Sequence, residues 1–476
     1  MKKRSLVICA LAAVLIAGVL SGCGSTYYFA GRSLPPSKLV NRVLVAIQNP
    51  STSSKGLLQI MDAFYDIRHS YDDKIPSFVI SGFNGALPVT IQNMPEEQVG
   101  AVYGSGDGSF TLINYAKETT GGAAASLGTT SASIFITRNS SFVFAANQQA
   151  TVFTVVDSAA GRSYSLGLPG VYRVSTNPGG SMALAFVQNS NYMYYPRKLQ
   201  SSESISLAAY YVTNHAWPKP YIDCEPQNLP GMCLAQAQDP NGNALVFDRP
   251  VKAVFSADGS NAIILNCGPE CGGTASSISV VPIAPMLIQS GQQTGTLPTT
   301  PPTYPVPGGA SNALVNSNTL YVMGQQYVPA SGLFTGNLTI VDLSSGTPIP
   351  GSPISISDGA PGQRTRMILA DDNTLWLGST RCTEGERYAT GQAYGCLTMF
   401  NTSTKSVTLI EPYQGDLTGI AAVTGLHKIY IAEGGQVYIY STTDGSAINN
   451  FFVTVTGTAY DVAYMDALTD GDNTVY

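Results

Sequence analysis

Charge is scarce in this chain: Asp, Glu, Lys and Arg make up 11% of its 476 residues. Histidine is scarcer, at three residues, and tryptophan occurs twice. Few histidines leave little material for a Ser/His/Asp triad or a histidine-based metal centre. No long stretch repeats apolar residues at helical spacing, which argues against a helix bundle or a doubly wound α/β fold. What is abundant is different. There are 48 glycines and 26 tyrosines, and 44% of residues are hydrophobic. Low charge with many Gly, Ser, Thr and Tyr suggests a secreted all-β protein and not a disordered one.

The charged residues that do occur are unevenly placed. Lys2, Lys3 and Arg4 precede an uncharged run, "SLVICALAAVLIAGV" (5–19). That is the layout of a secretory signal, and the run is short for a spanning helix. It closes on Leu20-Ser21-Gly22-Cys23, which resembles the bacterial lipobox. The resemblance implies cleavage before Cys23 and a diacylglycerol on its thiol, with residues 1–22 as signal peptide. It anchors the chain in the bacterial cell envelope, each buried methylene contributing about 0.8 kcal/mol. Gly24, standing where an Asp would favour inner-membrane retention, points to the outer membrane. Residues 23–40 then read as a lipidated tether. Three of the 24 basic residues leave with the signal, so 21 face 30 acidic ones. That balance argues against nucleic acid as a partner.

With Cys9 removed and Cys23 lipidated, six cysteines remain in three local pairs. An oxidising envelope suggests the loop staples Cys224–Cys233, Cys267–Cys271 and Cys382–Cys396. Six cysteines formally permit fifteen pairings.

A pattern recurs along the rest of the chain. "NSSFVFAANQ" (139–148), "GGSMALAFVQ" (179–188), "DGSNAIILNC" (258–267), "NSNTLYVMGQ" (316–325), "DDNTLWLGST" (371–380) and "GLHKIYIAEG" (425–434) each set a polar or Gly turn before a short apolar run. That is a hairpin turn feeding a buried strand. A third strand follows, as in "TVFTVVDS" (151–158), "SISVVPIA" (277–284), "LTIVDLSS" (338–345), "LTMFNTST" (397–404) and "VYIYSTTD" (437–444). Looser copies are "LLQIMDAF" (57–64), "FTLINYAK" (110–117) and "ISLAAYYV" (205–212). Four short strands per unit at 40–60-residue spacing predict a β-propeller over 41–476. The count favours eight four-stranded blades; misreading of 190–250 would leave seven. "AYDVAYMDA" (459–467) reads as a first strand and "NRVLVAIQNP" (41–50) as a second, so the two ends should complete one blade and close the ring.

"FVFAANQQATVFTVVDSAAG" (142–161) resembles the YVTN/YncE-type repeat of bacterial lactonase-like propellers. "FSADGSNAIIL" (255–265) is similar to a hairpin shared by that repeat and TolB-like propellers. The resemblance implies the fold and leaves activity open, because propellers host many functions.

In a propeller, the connections between strands two and three share one face with the blade-to-blade connections. Four of them read as long: 188–204, 266–276, 324–336 and 379–395. They carry Tyr194, Tyr195, Arg197, Lys198, Tyr327, Phe334, Arg381, Glu384, Arg387, Tyr388 and Tyr394. Tyr and Arg dominate binding hot spots, and long loops are commonly functional. The expected function is therefore a binding or scaffolding module that recognises an envelope protein or glycan through this face. The insertion 213–243 reads as a stapled decoration. No cofactor is expected beyond the lipid on Cys23, and no catalytic residue is identified. The alternative is a propeller hydrolase or lactonase with a metal site in the central channel, for which calcium is the candidate ion. Weaker cation candidates are 62–74, with four Asp and His69, and "DALTDGDN" (466–473), which lacks the closing Glu of a calcium loop.

Overall fold

The computed structural model describes residues 32–49, 55–68, 78–121, 125–137, 141–330, 332–356, 363–382, 394–410 and 415–468. They form eight sheets in sequence order around a ring. Blade 2 comprises strands 88–94, 99–104 and 109–114, with 119–120 and 125–126 as its broken outer strand. Blade 3 comprises 131–136, 142–147, 152–157 and 162–167; blade 5 comprises 250–255, 261–266, 277–282 and 303–305. Blade 6 contains 312–316, 319–328 and 333–342, with 349–350 and 354–355 outermost. Blade 7 is built from 363–370, 374–382, 394–401 and 407–410, and blade 8 from 417–423, 428–433, 436–441 and 447–453.

Both faces of every blade are covered, which is why the inner strands read as unbroken apolar runs. In "RVLVAIQ" (42–48), Val43, Val45 and Ile47 join a core cluster with blade 8 residues such as Tyr430 and Ile439. Leu44 and Ala46, on the opposite side of the same strand, pack with Ile91 and Val102 of blade 2. This is the period of two expected of a strand. Eight such clusters occupy the eight gaps between neighbouring blades. No blade buries both its faces alone; stacking does it.

Blade 1 closes the ring as expected. Its first strand is Thr458–Tyr464, its second Arg42–Gln48 and its third Leu57–Asp62. Residues 78–80 supply the outer strand, with Ile60 N donating to Phe78 O (2.9 Å) and Ile80 N to Leu58 O (3.0 Å). A buried ion cluster locks the join. Arg42, 0% exposed, places Nη2 2.6 Å from Asp466 Oδ1 and Nη1 2.8 Å from Glu118 Oε1. Its Nη1 also donates to Tyr115 O at 2.7 Å, and its backbone N to Asp466 Oδ2 at 2.7 Å. Three segments far apart in sequence thus meet on one guanidinium. Glu118 further accepts from Ser37 N at 2.8 Å, fixing the end of the expected tether against the ring.

Blade 4 departs from the sequence reading. Its strands are Val171–Thr176, Ala183–Val187 and Met193–Lys198, followed in space by Met232–Gln236 and then Tyr221–Glu225. Residues 205–212, read above as a third strand, belong instead to helix α1 (Ser201–Asn214). The true third strand is "MYYPRK". The helix has its own start signal: Glu203 Oε2 accepts from Gln200 N at 2.8 Å, the return half of a capping box. Ser204, Leu207 and Tyr211 recur at i, i+3 and i+7. Ser204 is buried and bonded by Gly231 N, Leu207 packs against the Cys224–Cys233 cluster, and Tyr211 stacks on Trp217 with centroids 4.1 Å apart. The count of eight survives because the helix interrupts blade 4 without replacing it.

Among the described residues, no helix is long and apolar enough to cross a membrane. Residues 1–31, including Cys23, lie outside the described residues.

Candidate functional site

The connections between second and third strands, and those from one blade to the next, emerge on one face, here called the upper face. Its rim is uneven. Blades 2, 3 and 8 make these turns within 105–108, 148–151 and 434–435. Blade 5 uses 267–276, stapled by Cys267–Cys271. Blade 6 raises a hairpin whose two strands, Thr319–Val328 and Leu333–Asp342, are ten residues each and remain paired to Val328–Leu333. Blade 7 is extended similarly, with Cys382 opposite Tyr394. Three neighbouring blades therefore carry the raised part of the rim.

The raised part is braced. Glu270, in the blade 5 connection, accepts from Gln325 N and from Gln325 Nε2, both at 2.9 Å. Above that brace, Tyr327 and Phe334 pair across the blade 6 hairpin with centroids 5.3 Å apart. Tyr327 remains 45% exposed. Two aromatic rings on a tethered hairpin form a rigid contact surface.

The other expected rim residues divide into two groups. Arg381 and Tyr394 sit in the blade 7 hairpin strands, their side chains outside the described set, as is that of Cys382. Glu384, Arg387 and Tyr388 lie outside the described residues altogether. Cys396 is disulfide-bonded, and Cys224–Cys233 and Cys267–Cys271 are both formed as expected.

Tyr194, Tyr195 and Arg197 are not in a rim loop, a correction that follows from the blade 4 strand. Tyr194 and Tyr195 pack on opposite sides of that strand, and burial pushes both phenols above their usual pKa. Arg197 is a clamp: it donates to Tyr221 Oη at 2.7 Å and lies 3.0 Å from Glu203 Oε1, tying α1 and the outermost strand to the blade. Lys198, near the opposite face, bridges to Asp157 of blade 3 at 2.5 Å. The signal missed in the sequence was the alternation of "MYYPRK" directly before a capping Gln/Glu pair.

At the centre of the upper face lies a feature the sequence reading did not single out. Seven of the eight first strands carry a β-bulge at the corresponding point of their register, skipping residues 89, 132, 172, 251, 365, 418 and 460. Bulges sharpen twist and re-aim side chains. The residues just past them are Thr90, Ser133, Arg173, Lys252, Arg366, Gly419 and Asp461; Asn312 holds the corresponding place in blade 6, which has no bulge. Thr90, Ser133, Arg173, Lys252, Asn312 and Arg366 line a cavity of about 500 Å³ whose wall also includes Ser105, Thr130 and Thr380 from the upper face.

Many of these side chains staple one blade to the next. Val174 N donates to Ser133 Oγ (3.1 Å), and Asp461 accepts from Ile91 N (2.9 Å). Lys252 Nζ donates to Asn312 Oδ1 (2.6 Å), and Asn312 Nδ2 to Thr365 O (3.0 Å). Arg366 Nε donates to Thr418 O (2.8 Å), and its Nη2 lies 3.7 Å from Asp461 Oδ1. Gly419 gives room for this, since a Cβ there would meet Asp461 Oδ1 at 2.6 Å. Lys252 is 3% exposed. Burial, reinforced by the charges of Arg173 and Arg366, holds its pKa well below the ordinary lysine value.

The remaining cation candidates are engaged otherwise. Asp66 is bridged by Lys428 at 2.6 Å and bonded by the Tyr430 hydroxyl, and Asp466 belongs to the Arg42 cluster. Residues 69–74 and 469–473 lie outside the described residues.

No protein-family model matches the chain, and no curated protein matches it by sequence. Many solved structures do match. A dihydro-heme d1 dehydrogenase, NirN, is similar at 10% identity and a TM-score of 0.51, with 91% of this chain and 79% of that one covered. A putative 6-phosphogluconolactonase from Bacteroides fragilis has 11% identity and a TM-score of 0.48, with 89% and 98% covered. AztD from Citrobacter koseri has 9% identity and a TM-score of 0.48, with 89% and 97% covered. At these identities the likeness is one of fold, and the fold is an eight-bladed β-propeller.

Proposed function

We propose that this chain is an envelope-anchored binding module, tethered through a lipid on Cys23, which presents its upper face to an envelope protein or glycan. The observation that carries the reading is the raised rim of blades 5, 6 and 7. Three adjacent connections are lengthened, two of them are braced together by Glu270 and Gln325, and the blade 6 hairpin offers Tyr327 and Phe334. Rigid aromatic anchors give large contact area at low entropic cost. Arg381, Glu384, Arg387, Tyr388 and Tyr394 would extend the same surface across blade 7.

The alternative, a hydrolase or lactonase with a channel calcium ion, fits the channel poorly. Calcium takes six to eight oxygen ligands, several of them carboxylates. Arg173 and Arg366 instead present guanidinium charge to the cavity beside the amine of Lys252, and Asp461 is turned to the backbone of blade 2 and to Arg366.

The test is affinity capture from native envelope with a soluble form beginning at Ser25, beside Tyr327→Ala/Phe334→Ala and Arg381→Ala/Arg387→Ala/Tyr388→Ala variants of equal thermal stability. A partner held by the parent and lost by either variant is the expected result. Identical capture by all three forms would remove the rim from consideration.

A further inference from the structure

We propose that the central cavity is a binding site for a compact multivalent oxyanion, a phosphate or polycarboxylate group, held by Arg173 and Lys252 with Arg366 at its side. This site is distinct from the rim and does not depend on it.

Three cationic side chains from blades 4, 5 and 7 face one cavity of about 500 Å³. Among the described residues, neither Arg173 nor Lys252 has a carboxylate within ion-pair distance. Arg173 spends one bond, from Nη1 to Ser311 O at 3.1 Å, and Lys252 one, to Asn312 Oδ1 at 2.6 Å. A guanidinium has five N–H donors and an ammonium three, so most of their donors remain for a guest. Blade stapling does not explain the charge. Neutral side chains staple other blades, as Ser133 Oγ does by accepting from Val174 N and Ser175 Oγ by accepting from Ala253 N.

Asn312 is fixed between Lys252 and Thr365 O, so the ammonium is held in place before any ligand arrives.

Two like charges brought together in a low-dielectric cavity are costly until an anion sits between them. Binding should therefore draw a proton onto Lys252 while Arg173 and Arg366 stay charged. Asp461, beyond Arg366, is the carboxylate on this side of the cavity, and its charge is already met by Arg366 and by backbone N–H groups.

The experiment is calorimetric titration of the parent, Arg173→Gln and Lys252→Met with inorganic phosphate, sulfate and citrate, against chloride at matched ionic strength. It is repeated in two buffers of different ionisation enthalpy. The parent should bind at least one of the three, with affinity falling tenfold or more in each variant and proton uptake in the parent that is absent in Lys252→Met. Phosphate and citrate arms separate a phosphate from a polycarboxylate preference. Both variants should melt no earlier than the parent in chloride alone, which keeps misfolding from imitating lost binding. Binding no tighter than chloride in the parent, or equal binding by all three proteins, would overturn the proposal.

Discussion

Two groups of cations sit in this ring, the buried Arg42 at the closure and the buried Lys252 with the half-buried Arg173 in the channel, and they are solved in opposite ways. At the closure, Arg42 is surrounded by Asp466 and Glu118, with the Tyr115 carbonyl accepting a further bond from Nη1. In the channel, Arg173 and Lys252 rest on neutral partners, a carbonyl and an amide oxygen. Burial of charge is costly unless the charge is paired. The first arrangement is what a structural joint requires, whereas the second leaves a cost that folding alone does not need. Sites that keep such a cost are commonly functional ones.

The largest expected effect breaks the closure. Arg42→Met leaves two buried carboxylates without their cation and removes a hub shared by both chain ends. Loss of one partner from a buried pair costs about 3–5 kcal/mol, so a large fall in the chemical-denaturation midpoint is expected. An unchanged midpoint would show that other contacts hold the ring shut.

An intermediate case lies between blades 3 and 4. Lys198, partly exposed, meets the buried Asp157 at 2.5 Å. Asp157 retains a second bond, from Ala160 N at 3.0 Å. Lys198→Met should therefore cost about 1–3 kcal/mol, the range for a buried group left short of a partner. Equilibrium unfolding of Lys198→Met beside Arg42→Met measures the gradation directly, and equal losses would mean that the carboxylate count at Arg42 is irrelevant.

The two regions also differ in how far the sequence disclosed them. Ring closure was legible because it depends on strand patterns: "NRVLVAIQ" carries the unbroken apolar run of a strand covered on both faces, and "AYDVAYMDA" reads as the first strand beside it. The rim was half legible. The unequal loop lengths of blades 5 to 7 can be counted from the repeat, but in blade 4 the short strand "MYYPRK" was absorbed into a loop. The apolar run after it, "ISLAAYYV", then reads as a strand. Helix and strand are hard to separate in a short apolar run, and here the Gln200–Glu203 cap decided it. The channel was not legible. Arg173, Lys252 and Arg366 are single charged residues in first strands of no common motif, and they converge because a bulge recurs at one register position. A bulge is a property of pairing, and no residue type announces it.

Lys252 offers the sharpest separation of the two regions. Lys252→Met removes a buried ammonium that faces two guanidiniums and leaves a side chain of similar length. In the absence of anion it should stabilise the ring, by about 1 kcal/mol, where Arg42→Met destabilises it. The sign has a pH signature. Lys252 holds its proton less tightly in the folded ring than in the unfolded chain, where its pKa is near the ordinary 10.5. Between the folded value and 10.5 the unfolded chain binds more proton, so the parent gains stability as pH rises, by at most about 1.4 kcal/mol per unit. The methionine variant has no such gain from this position. Its advantage should be full below the folded pKa of Lys252, shrink as pH climbs, and lose its electrostatic part near 10.5. Denaturation of both proteins at several pH values between 6 and 10 reads this out. A gap that stays constant, or a variant weaker than the parent throughout, would place Lys252 with Arg42 among the structural cations.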